Sequence, residues 1–149
     1  MQKFKIDIYN QEKPEIRLKY KTLDKIRTQQ IINKIKCILS VNENVENTQS
    51  MISIAETKLQ KKIELSSINE TNIISDIFIN KGKLSENSEL FIFWDFDTLI
   101  DQFELKVLID NWEYIWYDVS DEVILIYCNL NDFLVLISER GYVKTNNIL

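Results

Sequence analysis

Histidine is absent from the 149-residue chain, and there are only two glycines and one proline. The lack of histidine excludes Ser-His and Cys-His nucleophile systems and every zinc site that uses imidazole. Any catalysis would depend on carboxylates, lysine, tyrosine or a metal bound by carboxylates. The scarcity of glycine and proline predicts few turns with positive φ and no flexible linker, and the length predicts one domain over residues 1–149.

Long apolar runs are also missing. VILIYC at 123–128 and FLVLI at 133–137 are among the longest, far below the about 20 residues of a membrane span. The opening MQKFKIDIYN contains no signal-peptide core. We therefore predict a cytoplasmic protein with no membrane partner. Cys37 and Cys128 form no CxxC pair and are predicted to be reduced, buried and inert.

Positive charge is scarce in the second half of the chain. Residues 1–85 contain 15 Lys and Arg and 10 Asp and Glu, whereas residues 86–149 contain 3 and 13. The formal charges are therefore +5 and −10, which give the −5 of the whole chain. Such an acidic half repels nucleic acid and attracts a basic protein. The lysines of the first half are interleaved with aliphatic residues, which favours solvated helix faces over a nucleic-acid surface.

The first half predicts a β-hairpin followed by helices. KFKIDI and IRLKYK alternate apolar with polar residues on either side of Pro14, which predicts a hairpin over residues 3–21. Helical spacing then predicts a helix from the N-cap Thr22 to Leu39 and a second helix over residues 51–65. A short third helix over residues 73–79 ends with Gly82 as its C-terminal glycine.

The second half predicts a helix and an antiparallel meander. A strand over residues 89–96, apolar on both faces, leads to Asp97 as the N-cap of a helix over residues 98–111. Residues 114–117 are expected to be extended or turning, and strands follow over 123–128, 133–138 and 142–144. The predicted order ββααα-βαβββ, with an N-terminal hairpin and a mainly antiparallel C-terminal sheet, is an α+β fold.

The end of the first of these strands contains two aspartates in FIFWDFDTLID, residues 91–101. This stretch resembles the opening motif of the haloacid-dehalogenase phosphatases, in which a strand ends in Asp-x-Asp. The resemblance implies Asp95 as nucleophile, Asp97 as acid/base and a Mg²⁺ ion between carboxylates. A Mg²⁺-dependent phosphoesterase is therefore the enzymatic alternative.

The motif departs from that family immediately after its second aspartate. Thr98 stands where the family has glycine, and the 52 residues after Asp97 predict no parallel βαβ series and no later acidic loop for the metal. A helix cap at Asp97, with Asp101 in the first helical turn, explains the same carboxylates. We therefore predict a protein that is not an enzyme, without a cofactor and without a metal at Asp95, Asp97 and Asp101.

The segment NWEYIWYDVSDE, residues 111–122, combines aromatic and acidic residues. Core packing is one interpretation of its aromatic side chains. The other is a binding surface, because Tyr and Trp are enriched at interfaces and a rim of carboxylates steers a basic partner. The candidate partner-binding residues are Trp112, Glu113, Tyr114, Trp116, Tyr117, Asp118, Asp121 and Glu122.

The run from Trp94 to Val143 resembles the C-terminal part of small bacterial immunity proteins from polymorphic-toxin systems. WDFD, NWEYIWYD, SDE, ILIY and LVLISERGYV carry this resemblance, in that order. It implies a cytoplasmic α+β protein that binds and blocks one cognate toxin without catalysis. We therefore predict an immunity- or antitoxin-like inhibitor whose acidic, aromatic surface binds a basic toxin or enzyme and not nucleic acid itself. A phage or mobile-element inhibitor that mimics nucleic acid is a further alternative.

Overall fold

The computed structural model describes residues 1–45, 47–64, 73–95, 97–117, 121 and 123–146. The strands are β1 (Lys21–Thr22), β2 (Lys61–Glu64), β3 (Glu89–Phe93), β4 (Asp101–Glu104), β5 (Val123–Cys128), β6 (Phe133–Ser138) and β7 (Tyr142–Thr145). The helices are α1 (Lys3–Glu12), α2 (Lys25–Ile38), α3 (Thr48–Lys58) and α4 (Leu105–Ile115), together with a π-helix (Ser75–Lys81) and a short 3₁₀ turn (Leu130–Asp132). The strands form an antiparallel sheet in the order β1-β4-β3-β5-β6-β7-β2.

The three central strands are apolar on both faces because helices cover both sides of the sheet. Ile124 and Ile126 of β5 belong to one core, and Leu125 and Tyr127 belong to the other. The first core includes side chains from α1, α4 and the π-helix, and the second includes side chains from α2 and α3. This three-layer arrangement explains why the apolar runs show no alternation. The predicted α+β class and the predicted strands β3, β5, β6 and β7 are confirmed.

The predicted N-terminal hairpin is wrong. Residues 3–12 form helix α1, and the extended segment after it joins the sheet only through the two residues of β1. The buried side chains of α1 are Lys5 and Tyr9, one helical turn apart, while Phe4 and Ile8 are 42% and 38% exposed. The alternation was misleading because polar contacts of Lys5 and Tyr9, rather than an apolar face, hold this helix in place.

The predicted helix over residues 98–111 is also wrong. Residues 101–104 form β4 between β1 and β3, and α4 begins only at Leu105 and continues to Ile115. Asp97 caps no helix, and Asp101 lies in a strand. The spacing of Leu99, Phe103 and Val107 resembled a helix, but the backbone of this segment pairs with β3 and β1 instead.

The remaining helices lie close to their predicted positions. The N-cap of α2 is Asp24, whose carboxylate accepts a hydrogen bond from Arg27 N at 2.7 Å, and not Thr22. The predicted second helix ends at Lys58, and residues 61–64 form β2. Cys128 is buried as predicted, whereas Cys37 is exposed. No helix within the described ranges is long and apolar enough to cross a membrane.

Gly82 follows the π-helix, but it does not serve as a left-handed cap. Its φ is −76°, and Lys83 adopts the left-handed conformation at φ 56°. A Cβ atom on Gly82 would lie 2.9 Å from the carbonyl oxygen of Phe78 and 3.0 Å from the ring of Phe133. Close packing, and not backbone conformation, therefore requires glycine at this position.

Candidate functional site

Asp101 lies at the centre of a buried polar cluster between α1, β1 and β3. Its side chain is fully buried. Trp94 Nε1 donates to one carboxylate oxygen at 2.8 Å, and Thr22 Oγ1 donates to the other at 2.5 Å. The amino group of Met1 forms an ion pair with Asp101 and lies 3.4 Å from Asp97 Oδ2. Both oxygens of Asp101 are therefore engaged: Oδ2 contacts the amino group of Met1 and accepts from Trp94, and Oδ1 accepts from Thr22.

Lys5 and Asp121 form a second ion pair beside this cluster, and both side chains are fully buried. Lys5 Nζ also donates to the carbonyl oxygen of Ile115 at 3.0 Å and lies 4.1 Å from the centroid of a Trp94 ring. The backbone N–H of Tyr117 donates to the same carboxylate oxygen of Asp121 at 2.9 Å. The pair therefore connects α1 to the segment that follows α4.

Burial acts against both charges of this pair. It lowers the pKa of Lys5 and raises the pKa of Asp121, because each group loses its hydration, and the mutual attraction of the two charges opposes both shifts. Burial also raises the pKa of Asp97, against the attraction of the amino terminus. Perturbed groups of this kind occur at active sites but also in structural ion-pair networks.

The surroundings of Asp97 and Asp101 differ from those that the phosphatase resemblance implies. β3 lies between two antiparallel neighbours, whereas the phosphatase resemblance implied a parallel sheet. Asp97 is only 18% exposed and lies beside the amino terminus, and Asp101 is buried. Within the described part of the chain, no group of three His, Cys, Asp or Glu side chains is placed to hold a metal ion. The geometry therefore favours a structural role for these carboxylates.

The described residues of the predicted aromatic and acidic segment do not all lie on the surface. Trp112 belongs to the core at 3% exposure, and Asp121 is fully buried against Lys5, so neither is available to a partner in this conformation. The half-buried residues are Tyr114, Trp116 and Tyr117, and Glu113 is exposed. Asp118 and Glu122 lie outside the described residues. The core interpretation thus holds for Trp112, which stacks on Trp116 with ring centroids 5.4 Å apart.

An exposed acidic surface instead lies where β3 begins and α4 starts. We call it the acidic face, and it consists of Glu86, Glu89, Glu104, Asp110 and Glu113, all exposed. The backbone N–H of Lys106 donates to the carbonyl oxygen of Glu86 at 2.9 Å, which brings the loop before β3 against the start of α4. Asp110 and Glu113 then project from the exposed side of α4.

Negative charge is concentrated on the acidic face with little internal compensation. Glu89 and Glu104 are directly opposite each other on β3 and β4, a like-charge pair that destabilises a sheet. Lys106 Nζ lies 3.0 Å from Asp110 Oδ2, and its pKa is raised by that hydrogen bond and by the charges of Asp110, Glu86 and Glu104. Lys19 and Lys21 line a neighbouring groove of about 380 Å³ with Glu89 and Glu104, but neither forms an ion pair within the described residues.

Sequence reasoning missed most of the acidic face. Of its five residues, only Glu113 was a predicted partner-binding residue. The signal for Asp110 was present, because residues 106, 110 and 113 share one helical face once the helix starts at Leu105. Glu89 and Glu104 meet only through the register of β3 and β4, which the incorrect helix over residues 98–111 concealed.

Comparison with models of known protein families found no match, and comparisons with curated proteins and with solved structures found no significant match either. The two resemblances noted in the sequence therefore remain expectations.

Proposed function

We propose that this protein is a non-catalytic inhibitor that binds a basic protein partner through the acidic face, in the manner of an immunity protein that blocks a toxin. The observation that carries the proposal is the exposed pair Glu89 and Glu104, directly opposite each other across β3 and β4. Like charges in this position reduce the stability of the sheet. A cationic partner would remove that repulsion on binding, so the like-charge pair would favour formation of the complex.

The charge distribution of the rest of the molecule supports the same proposal. The acidic second half loses part of its charge internally, because Asp97, Asp101 and Asp121 face the amino terminus and Lys5. The acidic face keeps five carboxylates against the ammonium groups of Lys106, which pairs with Asp110, and of Lys19 and Lys21 in the neighbouring groove. Its charge is therefore available to steer a basic protein and to fix its orientation.

Binding of a purified partner to a charge-neutral variant tests the proposal. The partner is first captured by cross-linking to the wild-type chain and then purified. The face variant Glu89→Gln/Glu104→Gln/Asp110→Asn should raise Kd about 10- to 100-fold, since three exposed charges at about 0.5–0.9 kcal/mol each sum to roughly 1.5–2.7 kcal/mol. The control Asp7→Gln/Glu15→Gln/Glu43→Gln removes three exposed carboxylates elsewhere and should change Kd by no more than about 3-fold.

Two further measurements complete the test. Affinity of the wild-type complex should fall as salt rises from about 0.05 to 0.5 M, because screening shortens the reach of exposed charges. The wild-type chain should also inhibit the partner's activity at a one-to-one ratio. Equal affinity of the face variant and its control, or a bound partner that stays fully active, would reject the proposal. Hydrolysis of p-nitrophenyl phosphate with Mg²⁺, abolished by Asp95→Asn, would show an enzyme instead.

A further inference from the structure

A cleft of about 750 Å³ lies between α1 and the extended segment that leads into β1. Ile6 and Asn10 of the helix line one side, and residues 17–20 with Thr22 line the other. Small-molecule sites in proteins have volumes of about 300–1,000 Å³. The cleft therefore has the size of a ligand site, and it lies away from the outward side of α4 that carries Asp110 and Glu113.

The inner surface of the cleft is apolar and well supported. Leu18 is only 8% exposed, and Ile6 and Tyr20 are half-buried. The ring of Tyr20 stacks on the buried Phe103 with centroids 5.4 Å apart and planes 15° from parallel. Because β4 holds Phe103 in the sheet, this contact fixes one wall of the cleft in place.

The charged groups that line the cleft are both cationic. Arg17 and Lys19 are exposed, and none of the carboxylates in the described part of the chain lines the cleft. Neither cation forms an ion pair within the described ranges, unlike Lys5 and Lys106. Asp101, which Thr22 contacts, already has its charge compensated by the amino terminus. Glu89 and Glu104 line the neighbouring groove, which shares Lys19 with the cleft, so Arg17 is the cation of the cleft that lies outside that groove.

We propose that this cleft binds an organic anion with an apolar body, of the fatty-acid class. The hydrocarbon chain packs on Ile6, Leu18 and Tyr20, where each buried methylene group raises the affinity about 4-fold. The carboxylate contacts Arg17, whose planar guanidinium forms two parallel hydrogen bonds with such a group, and Lys19 adds a second positive charge. This proposal is independent of the inhibitor function.

An NMR titration of the ¹⁵N-labelled full chain with decanoate, below its micelle-forming concentration, tests the assignment. We expect saturable shifts of the amides of Ile6, Asn10, Leu18 and Tyr20. Decanol, which has the same chain without the charge, should bind at least about 10-fold more weakly, since one charge-assisted hydrogen bond contributes roughly 1.5–3 kcal/mol.

Matched charge variants separate recognition from general electrostatic attraction. Arg17→Gln/Lys19→Gln should weaken decanoate at least about 10-fold. Lys34→Gln/Lys58→Gln removes the same charge from exposed positions on α2 and α3, across the sheet, and should change affinity by less than about 2-fold. All four side chains are exposed, so both variants should keep the wild-type circular dichroism spectrum and melting temperature.

Several outcomes would overturn the assignment. Shifts that do not saturate, shifts located on α2 and α3, or equal weakening by both variants would each show that the cleft does not recognise the anion. Equal affinity for decanol and decanoate would show that Arg17 and Lys19 take no part. Co-sedimentation with phosphatidylglycerol vesicles without binding of free decanoate would show that these cations contact a bilayer surface and not a ligand in the cleft.

Discussion

Helix α1 is held by a different kind of interaction from helices α2 and α3 on the opposite face of the sheet. On one face, α2 and α3 contribute aliphatic side chains such as Ile32, Ile35 and Met51, all fully buried. On the other face, α1 buries only a lysine and a tyrosine, Lys5 and Tyr9. Tyr9 donates to Asn111 Oδ1 of α4 at 2.8 Å, which gives α1 a second polar contact.

This difference shows that the interactions that contribute most to the stability of a helix need not be those that determine its position. Aliphatic contacts contribute large burial energies but are not directional. A buried ion pair contributes little compared with apolar residues of the same size, because desolvation offsets the attraction. The ion pair nevertheless determines where α1 lies, since a shift of α1 by one turn would leave Lys5 and Asp121 buried without partners. We infer that α1 is fixed by its polar contacts and that α2 and α3 are fixed by packing.

Breaking the ion pair should have the largest effect. Lys5→Met or Asp121→Leu alone should lower the free energy of unfolding by about 3–5 kcal/mol, because each leaves a buried charge without its partner and also removes that partner's hydrogen bonds. Protonation of Asp121 differs from its replacement by leucine, because the protonated carboxyl group keeps oxygens that accept hydrogen bonds. The double variant Lys5→Met/Asp121→Leu should return to within about 1 kcal/mol of the wild type or exceed it. Equilibrium unfolding in urea measures all three values, and Lys3→Met, at an exposed position of α1, is the control.

A double variant as unstable as the single ones would contradict this view of α1. It would mean that the pair contributes net stability and that apolar packing cannot replace it. If Lys3→Met also lowers the free energy of unfolding by several kcal/mol, α1 is sensitive to substitution at any position, and the effect is not specific to the ion pair. An exposed change of this kind is expected to stay within about 0.5 kcal/mol of the wild type.

The effect of pH should distinguish the two faces next. Burial raises the pKa of Asp121 in the folded state, so the folded state binds this proton more tightly than the unfolded state does. Asp121 therefore stabilises the fold below its ordinary pKa, and this stabilisation is lost as the pH rises through the raised pKa. Lys5 behaves in the opposite way: with a lowered pKa, it favours folding above its ordinary value and loses that contribution as pH falls. The wild type should therefore gain stability relative to Lys5→Met/Asp121→Leu both toward about pH 4 and toward about pH 10.

Urea unfolding of the two proteins across this pH range provides the measurement, and subtracting their values removes all other titrating groups. A constant difference would show that the pair does not titrate between these limits. A wild type that loses stability relative to the double variant on acidification would show that attraction outweighs desolvation at Asp121.

A smaller effect is expected at the end of α2, on the apolar face. Ser40 has a φ of 54°, and the N–H of Val41 donates to Lys36 O at 2.9 Å, which is the Schellman arrangement that favours glycine. Ser40→Gly should raise the free energy of unfolding by roughly 0.5–1 kcal/mol, because it removes the steric penalty of a Cβ atom. Ser53→Gly, in the middle of α3, should lower it by a similar amount. Thermal unfolding of both variants measures these effects, and melting temperatures that shift in the same direction would contradict the prediction.

The regions that sequence reasoning predicted well are those with local signals. β5, β6 and β7 lie within one residue of their predicted limits, because apolar runs and turn residues alternate there. The end of α2 is similarly close to its predicted position. Nearby residues supply the information in each case, through hydrogen-bonded turns and regular strand pairing.

The regions that failed depend on partners far away in the sequence. The buried polar side chains of α1 meet residues more than a hundred positions later, as Lys5 does with Asp121. β4 has the residue spacing of a helix and becomes a strand because β3 and β1 lie on either side of it. Periodicity cannot show such contacts, so both the ion cluster and the acidic face became visible only with the fold.

The order of strands in the sheet has a consequence for synthesis of the chain. Both outer strands come from the first half: β1 pairs with β4, and β2 pairs with β7, each roughly eighty residues later. A ribosome therefore releases these two segments well before their partners exist. Closure of both edges of the sheet must wait until β7 has emerged, so chaperones have more opportunity to act on this chain than on one whose strands pair in sequence order.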